Sequence, residues 1–175
     1  MDNDNIQVLA RIEKARSLYN KFSARILVLP GFDALLKGYR EEIEKSRTVM
    51  SDLGLPAICT NCAVSIPGGG CCGPAVATWY DPVTLFLNIL FHVEFPMEPY
   101  YPDSCLFLGR DGCLLLARYH FCVNYLCSRI TDRLSPGELL RLTSQSGREL
   151  YAAWRLEGMI ISFLRDCHEE QNYLG

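Results

Sequence analysis

Eight of the nine cysteines lie between Cys59 and Cys127, in the pattern C-x2-C-x8-CC-x32-C-x7-C-x8-C-x4-C. Thiolates are the favoured ligands of zinc and of iron–sulfur clusters, and random burial of small side chains does not generate a CxxC beside a vicinal pair. In Cys59-Thr60-Asn61-Cys62 a tight turn would bring both sulfurs to one metal. Neighbouring side chains diverge, so Cys71 and Cys72 are expected to serve two metal atoms, or one to bind while the other packs. Cys105, Cys113, Cys122 and Cys127 then supply the ligands that the first half lacks. Four sulfurs complete one site and eight complete two. A lone cysteine such as Cys167 reads as a small buried hydrophobe.

The rest of the composition bounds where such a site would work. The chain has 175 residues, 49% hydrophobic and 21% charged, enough to bury a core as a single domain. A net charge of -3 and scattered basic residues give no cationic field for phosphates, so nucleic acid is not an expected partner. Met1 to Asn5 carry two acids and no basic region, and the most apolar run, Val83 to Val93, is interrupted by Asn88 and His92. Neither a secretory signal nor a membrane span is expected. The expected compartment is the cytoplasm, where thiols stay reduced and dense cysteines bind metal more often than they form disulfides.

The elements that must hold these thiols read as mainly α-helical. A helix capped at Asp4 or Asn5 carries Ile6, Leu9, Ile12, Leu18, Tyr19 and Phe22 at helical spacing. Ile26 to Leu29 reads as a turn or brief extended link, halted by Pro30 and Gly31. A second helix runs from Asp33 to about Leu53, with Leu35, Leu36, Tyr39, Ile43 and Met50 buried, Gly54 as a left-handed cap, and Pro56 as a break that marks the entry to the cysteine region. Residues 1–55 thus form an N-terminal helix pair. Residues 56–130 form an irregular cysteine-rich metal module, and 131–175 form C-terminal helices.

Within the module, Ile66-Pro67-Gly68-Gly69-Gly70 and Gly73-Pro74 predict a wrapping loop, without the Lys-Ser/Thr of a phosphate-binding loop. Asp81-Pro82 starts a buried helix over Val83 to Val93, and prolines 96, 99 and 102 mark an irregular connector. Ser135-Pro136-Gly137-Glu138 is a capping box. Ser146-Gly147-Arg148-Glu149 reads as a second box that restarts a helix to about His168, with Leu150, Trp154, Ile161 and Leu164 on its apolar face.

The CxxC, the vicinal pair, and Cys105-Leu-Phe-Leu-Gly-Arg-Asp-Gly-Cys113-Leu-Leu followed by Cys122 resemble the CxxCxxCC or YkgJ-type family of zinc- or iron-chelating proteins. That family carries C-x2-C-x2-CC, a C-x-(hydrophobic)-Leu segment, a Gly/Arg-Cys-(aliphatic) turn and Arg-Pro-x-x-Cys. The resemblance implies metal-ligand roles for Cys59, Cys62, Cys71, Cys72, Cys105, Cys113 and Cys122, and leaves Cys127 outside the shared pattern. Eight residues rather than two separate Cys62 from Cys71, and Tyr119-His120 is read as standing in place of Arg-Pro. That reading removes a fixed cation from beside the thiolates.

The metal stays open between an iron–sulfur cluster, of the [4Fe-4S] kind for example, and Zn2+. Surplus cysteines and a vicinal pair exceed what one zinc requires and favour the cluster. His120 reads as partly exposed, His92 as a core histidine, and His168 as a favourable charge at a helix end. Glu94, Glu98 and Asp103 read either as a carboxylate site or, equally well, as a solvated loop. The expected function is metal binding for redox, sensing or metal handling, with a protein partner open. The alternative is an accessory or catalytic part of a methyltransferase-like enzyme, since flagellin lysine N-methylases resemble this chain over the same module. A methyltransferase would need a glycine-rich turn after a strand, which these segments do not offer.

Overall fold

In the computed structural model, which describes residues 3–66 and 70–174, helices dominate and strand is confined to one small hairpin. Helix α1 (Asn3–Leu27) buries Val8, Ile12, Ala15, Leu18, Phe22 and Ile26, a stripe at three- and four-residue steps. One member of the expected face falls short, since Ile6 is exposed, and the helix takes in Ile26 and Leu27 before the expected turn, which begins at Val28. Helix α2 (Phe32–Asp52) ends as the sequence predicts, with Gly54 at φ +69 in the left-handed region that a Cβ disfavours. These two helices separate to different partners. α1 packs on α4 (Pro82–Leu90), and α2 packs along α7 (Pro136–Asp166).

Helix α4 is capped by Asp81, whose carboxylate accepts from the Thr84 amide at 2.8 Å. It is apolar all round, and Leu85, Phe86 and Leu87 are completely buried at the centre of the main core. The helix stops at Leu90, earlier than expected. His92 lies beyond it, exposed and at φ +60, so it is not a core histidine.

Helix α7 starts at the predicted capping box, Ser135 with Glu138, and then runs unbroken for 31 residues. The second box is not a helix start. Ser146 and Glu149 lie on the buried face, where Ser146 Oγ donates to the Val123 carbonyl at 3.2 Å and Glu149 meets Arg118. Trp154 is 67% exposed and stacks on Tyr151, while Ala153, Leu156, Ile160 and Leu164 make the core-facing stripe. Helix α8 (Glu170–Leu174) closes the chain, and Tyr173 packs edge-on against Phe22. Among the described residues no helix is long and apolar enough to cross a membrane.

Short elements link these long ones. Helix α3 (Leu55–Ser65) follows Gly54 directly, so Cys59 and Cys62 stand on a helix where a turn and loop were expected. Pro56 caused that misreading: it occupies the first turn, where a missing amide costs nothing. The predicted loop over Pro67, Gly68 and Gly69 lies outside the described residues. Two 3-10 turns, Gly70–Cys72 and Pro74–Trp79, lead to α4. After the proline-rich connector, β1 (Leu108–Gly109) and β2 (Gly112–Cys113) form an antiparallel hairpin, followed by α5 (His120–Asn124) and α6 (Ser128–Thr131).

Candidate metal centre

The thiols gather where two apolar clusters meet. The main core reaches Cys72, Cys105, Cys113 and Cys122, whereas a smaller cluster of Val49, Met50, Leu55, Ile130 and Leu142 reaches Cys59 and Cys127. Between them lies a cavity of about 320 Å³ lined by seven thiols: Cys59, Cys71, Cys72, Cys105, Cys113, Cys122 and Cys127. Six segments deliver them. Cys59 comes from α3, the vicinal pair from the first 3-10 turn, Cys113 from β2, Cys122 from α5 and Cys127 from the cap of α6, with Cys105 in the loop before the hairpin.

Backbone hydrogen bonds fix these segments to one another. The Cys105 amide donates to the Cys72 carbonyl at 2.7 Å, which ties the two halves of the cysteine pattern together. Asn88, completely buried on α4, accepts from the amides of Leu116 and Ala117 at 2.9 and 3.1 Å and donates to the Ala117 carbonyl at 2.8 Å. Its fourth bond, to the Thr84 carbonyl at 3.0 Å, saturates the amide. Asn88 therefore pins the strip after the hairpin to the frame, and with it the entry to α5. On the far side, Ser146 of α7 holds the end of α5.

Cys62 is set apart from the other seven. It is buried but does not line the cavity, and a Cβ built on Gly70 would come within 3.0 Å of its sulfur. The vicinal pair also departs from expectation. Both thiols face the same cavity and hydrogen-bond each other, because the tight 3-10 turn keeps adjacent side chains together. That shared hydrogen pulls the Cys71 thiol below its ordinary pKa and pushes Cys72 above it.

Three more of the cavity thiols, Cys59, Cys105 and Cys122, resist ionisation. Burial, then the neighbouring Cys71, Cys127 and Cys62, pushes Cys59 up to about 11. Burial lifts Cys105 to about 12 and Cys122 to about 11, although the Tyr80 hydroxyl, 3.6 Å from the Cys122 sulfur, works against the latter rise. At neutral pH these groups are thiols, so a cation that binds them must displace protons.

Two arginines complete the wall. Arg47 donates to the carbonyls of Leu115 at 2.9 Å and Cys113 at 3.2 Å. Arg118, with 9% of its side chain exposed, pairs with the fully buried Glu149 at 3.3 Å and donates to the Met50 sulfur at 3.4 Å. The expectation that this segment lacks a fixed cation is overturned. Counting four residues back from Cys122, as Arg-Pro-x-x-Cys requires, lands on Arg118, and Tyr119 takes the place of the proline.

Known proteins give no further guide. The chain matches no family model, no curated protein and no solved structure.

The remaining candidate residues fall outside the cavity. His120 is exposed and packs on the Tyr119 ring, and Glu94, Glu98 and Asp103 are exposed in the connector. Cys167 caps α7 at the opposite side of the core, where Arg25 donates to its sulfur at 3.4 Å. Sequence reasoning missed Asn88 and Glu149 as site-building residues, and the signal for each was present. A polar amide inside an apolar helix, and a carboxylate at a core-facing register, both demand buried partners.

The donor set fits a thiolate-bound group. Its sulfurs ring a space with apolar walls of Leu55, Val76, Phe107, Leu108 and Ile130. They do not converge on one point: among the described residues no three of His, Cys, Asp or Glu stand close enough to share an ion. A single zinc would need four thiolates at about 2.3 Å from it.

Proposed function

We propose that this chain is a metal-binding protein whose cavity thiols hold an iron–sulfur cluster, and that it serves redox, sensing or metal handling in the cytoplasm. The observation that carries this reading is the ring of seven thiols around one cavity of about 320 Å³. A polynuclear group can span such a ring, with Cys59 and Cys127 on one side and Cys105, Cys113 and Cys122 on the other. Bound there, the cluster would supply one-electron chemistry, and the apolar wall would exclude water from it. The resemblance to the CxxCxxCC family points the same way. Zinc held by four of the seven is the alternative, and it requires the ring to contract.

The methyltransferase-like reading finds no supporting observation. Among the described residues the strands are two residues long each, with no glycine-rich turn leading from strand to helix.

The test is metal and sulfide analysis of anaerobically purified protein together with its visible absorption spectrum. Iron and acid-labile sulfide with a broad brown absorption identify a cluster, whereas zinc without colour identifies the alternative. Protein that takes up neither, after reconstitution with ferrous iron and sulfide or with zinc, overturns both. Cys122→Ser should cost the bound metal and Cys167→Ser should not.

A further inference from the structure

Two buried side-chain polar atoms have no hydrogen-bond partner among the described residues: Thr60 Oγ1 and Arg118 Nε. Only the second belongs to a residue that lines the thiol cavity. The terminal nitrogens of Arg118 are committed, Nη2 to both carboxylate oxygens of Glu149 at 3.3 and 3.4 Å and Nη1 to the Met50 sulfur at 3.4 Å. Its Nε–H is left over. A buried donor on a charged group is costly to leave unsatisfied, more so than a neutral one, and a fold with no use for it would place an uncharged residue here.

Glu149 does not explain the whole arrangement either. Burial opposes the guanidinium charge, and Glu149 followed by Cys113 and Tyr80 more than offsets it, so Arg118 is held firmly cationic. Glu149 comes from α7, while Arg118 sits on the strip that Asn88 fixes four residues before Cys122. The guanidinium therefore stands between a carboxylate behind it and thiols in front. Arg118 lines the cavity, so its guanidinium is held as a fixed positive charge at the edge of a space lined by sulfur.

We infer that Arg118 recognises an anionic, sulfur-bearing group in the cavity, its Nε–H donating to a sulfur of that group. The inference rests on the metal-binding reading above and deepens it. Whatever the thiols hold presents negative charge toward Arg118, as thiolate-bound clusters and thiolate-bound zinc both do. Arg118 is a positioning residue that stabilises the more negative state of the bound group. With a redox-active cluster it favours the reduced form.

The deciding variant is Arg118→Lys. Lysine keeps a positive charge for Glu149 but has a methylene where arginine has Nε–H, so the ion pair survives while the unpartnered donor is deleted. Circular dichroism first establishes that the stripped variant is as helical as the stripped parent. Parent and variant are then loaded anaerobically with ferrous iron and sulfide, and separately with zinc. Retention of each metal against a chelator is measured, and for iron the reduction potential.

The expected result is a lower potential in the variant, a tenfold loss for the reduced over the oxidised form being about 59 mV for one electron. Faster loss of metal to the chelator should accompany it. Should lysine fold too poorly to load, Glu149→Gln keeps the Arg118 donor, removes the buried negative charge behind it and should raise the potential, whereas a lowered potential would overturn the inference. Identical potential and retention in parent and Arg118→Lys overturn the inference and leave the metal-binding reading standing. A parent protein that loads neither metal overturns both.

Discussion

The helical frame and the thiol cavity differ in what closes them. In the frame, α1, α2, α4 and α7 bury Leu18, Phe86, Leu156 and Ile160 completely, and aromatic pairs such as Tyr19 with Phe86 and Phe22 with Phe163 fill the joints. The cavity side is assembled from α3, a 3-10 turn, a four-residue hairpin and two helices of five and four residues. Segments that short do not hold their shape by helix propensity or sheet pairing alone. Around the cavity the raised thiols of Cys59 and Cys105 and the Nε of Arg118, which has no hydrogen-bond partner, set this region apart from the frame. On the proposed reading, the frame is self-sufficient and the cavity side depends on the metal.

On the proposed metal-binding reading, the largest effect that separates the two regions is removal of the metal. Hydrogen exchange on stripped protein should show residues 55–66, 70–72 and 105–131 losing protection, with the centres of α1, α2, α4 and α7 still slow to exchange. Equal loss throughout would erase the distinction. The converse experiment strikes the frame. Phe86→Ala removes a ring from the middle of the main core and should cost about 3–5 kcal/mol in chemical unfolding. Loaded and stripped protein should suffer alike, because Phe86 lies outside the cavity wall.

The same division governs how much was legible in the sequence. The frame announces itself through local rules: the helical spacing of Ile12, Leu18 and Phe22, the Asp81-Pro82 start, Gly54 as a stop and the Ser135 box all act within a few residues. Errors there came from signals with two meanings. Ser146 and Glu149 have the letters of a capping box, yet their side chains reach Val123 and Arg118, partners that no local window contains. Pro56 was taken as a break although a first-turn proline is compatible with helix.

The cavity was legible in its donor types but not in its arrangement. Spacing indicated that Cys59 and the later cysteines should meet. It gave no warning that Cys62 turns toward Gly70 while Cys71 and Cys72 face the same way. Those directions depend on the helical phase of α3 and on a 3-10 turn. The arginine was visible four residues before Cys122 and became recognisable as part of the wall only once Glu149 was seen behind it.

A smaller effect tests whether the frame is as indifferent to charge as its apolar core suggests. Glu157 on α7 is pushed up to about 7, by burial first and then by Asp81, with a hydrogen bond from Thr84 working the other way. Its unfolded value is near 4.5, so the folded state binds the extra proton between about pH 4.5 and 7. This group's contribution to stability therefore falls as pH rises through that window, and the penalty is complete above it. Glu157→Gln should stabilise the protein by about 2–3 kcal/mol at pH 8 and by little at pH 4.5, read as midpoints of urea unfolding. None of Asp81, Thr84 and Glu157 lines the thiol cavity, so metal retention should not change. A pH-independent gain would show that the carboxyl is not protonated by its surroundings.

The smallest effect falls at the joint between the two regions. Ser135 caps α7 immediately after the cysteine segment: its hydroxyl accepts from the Glu138 amide at 3.4 Å, and the Glu138 carboxylate accepts from the Ser135 amide at 2.8 Å. Ser135→Ala deletes one half of this exchange and should cost about 1 kcal/mol. The first turn it frays is exposed, but Leu142, a turn and a half further on, belongs to the small cluster that carries Cys59 and Cys127. If the regions are separable, the loss appears in global unfolding while the rate of metal loss to a chelator stays that of the parent. If metal escapes faster, the start of α7 belongs mechanically to the cavity side, and the boundary between self-sufficient and metal-dependent structure has to be redrawn inside the longest helix.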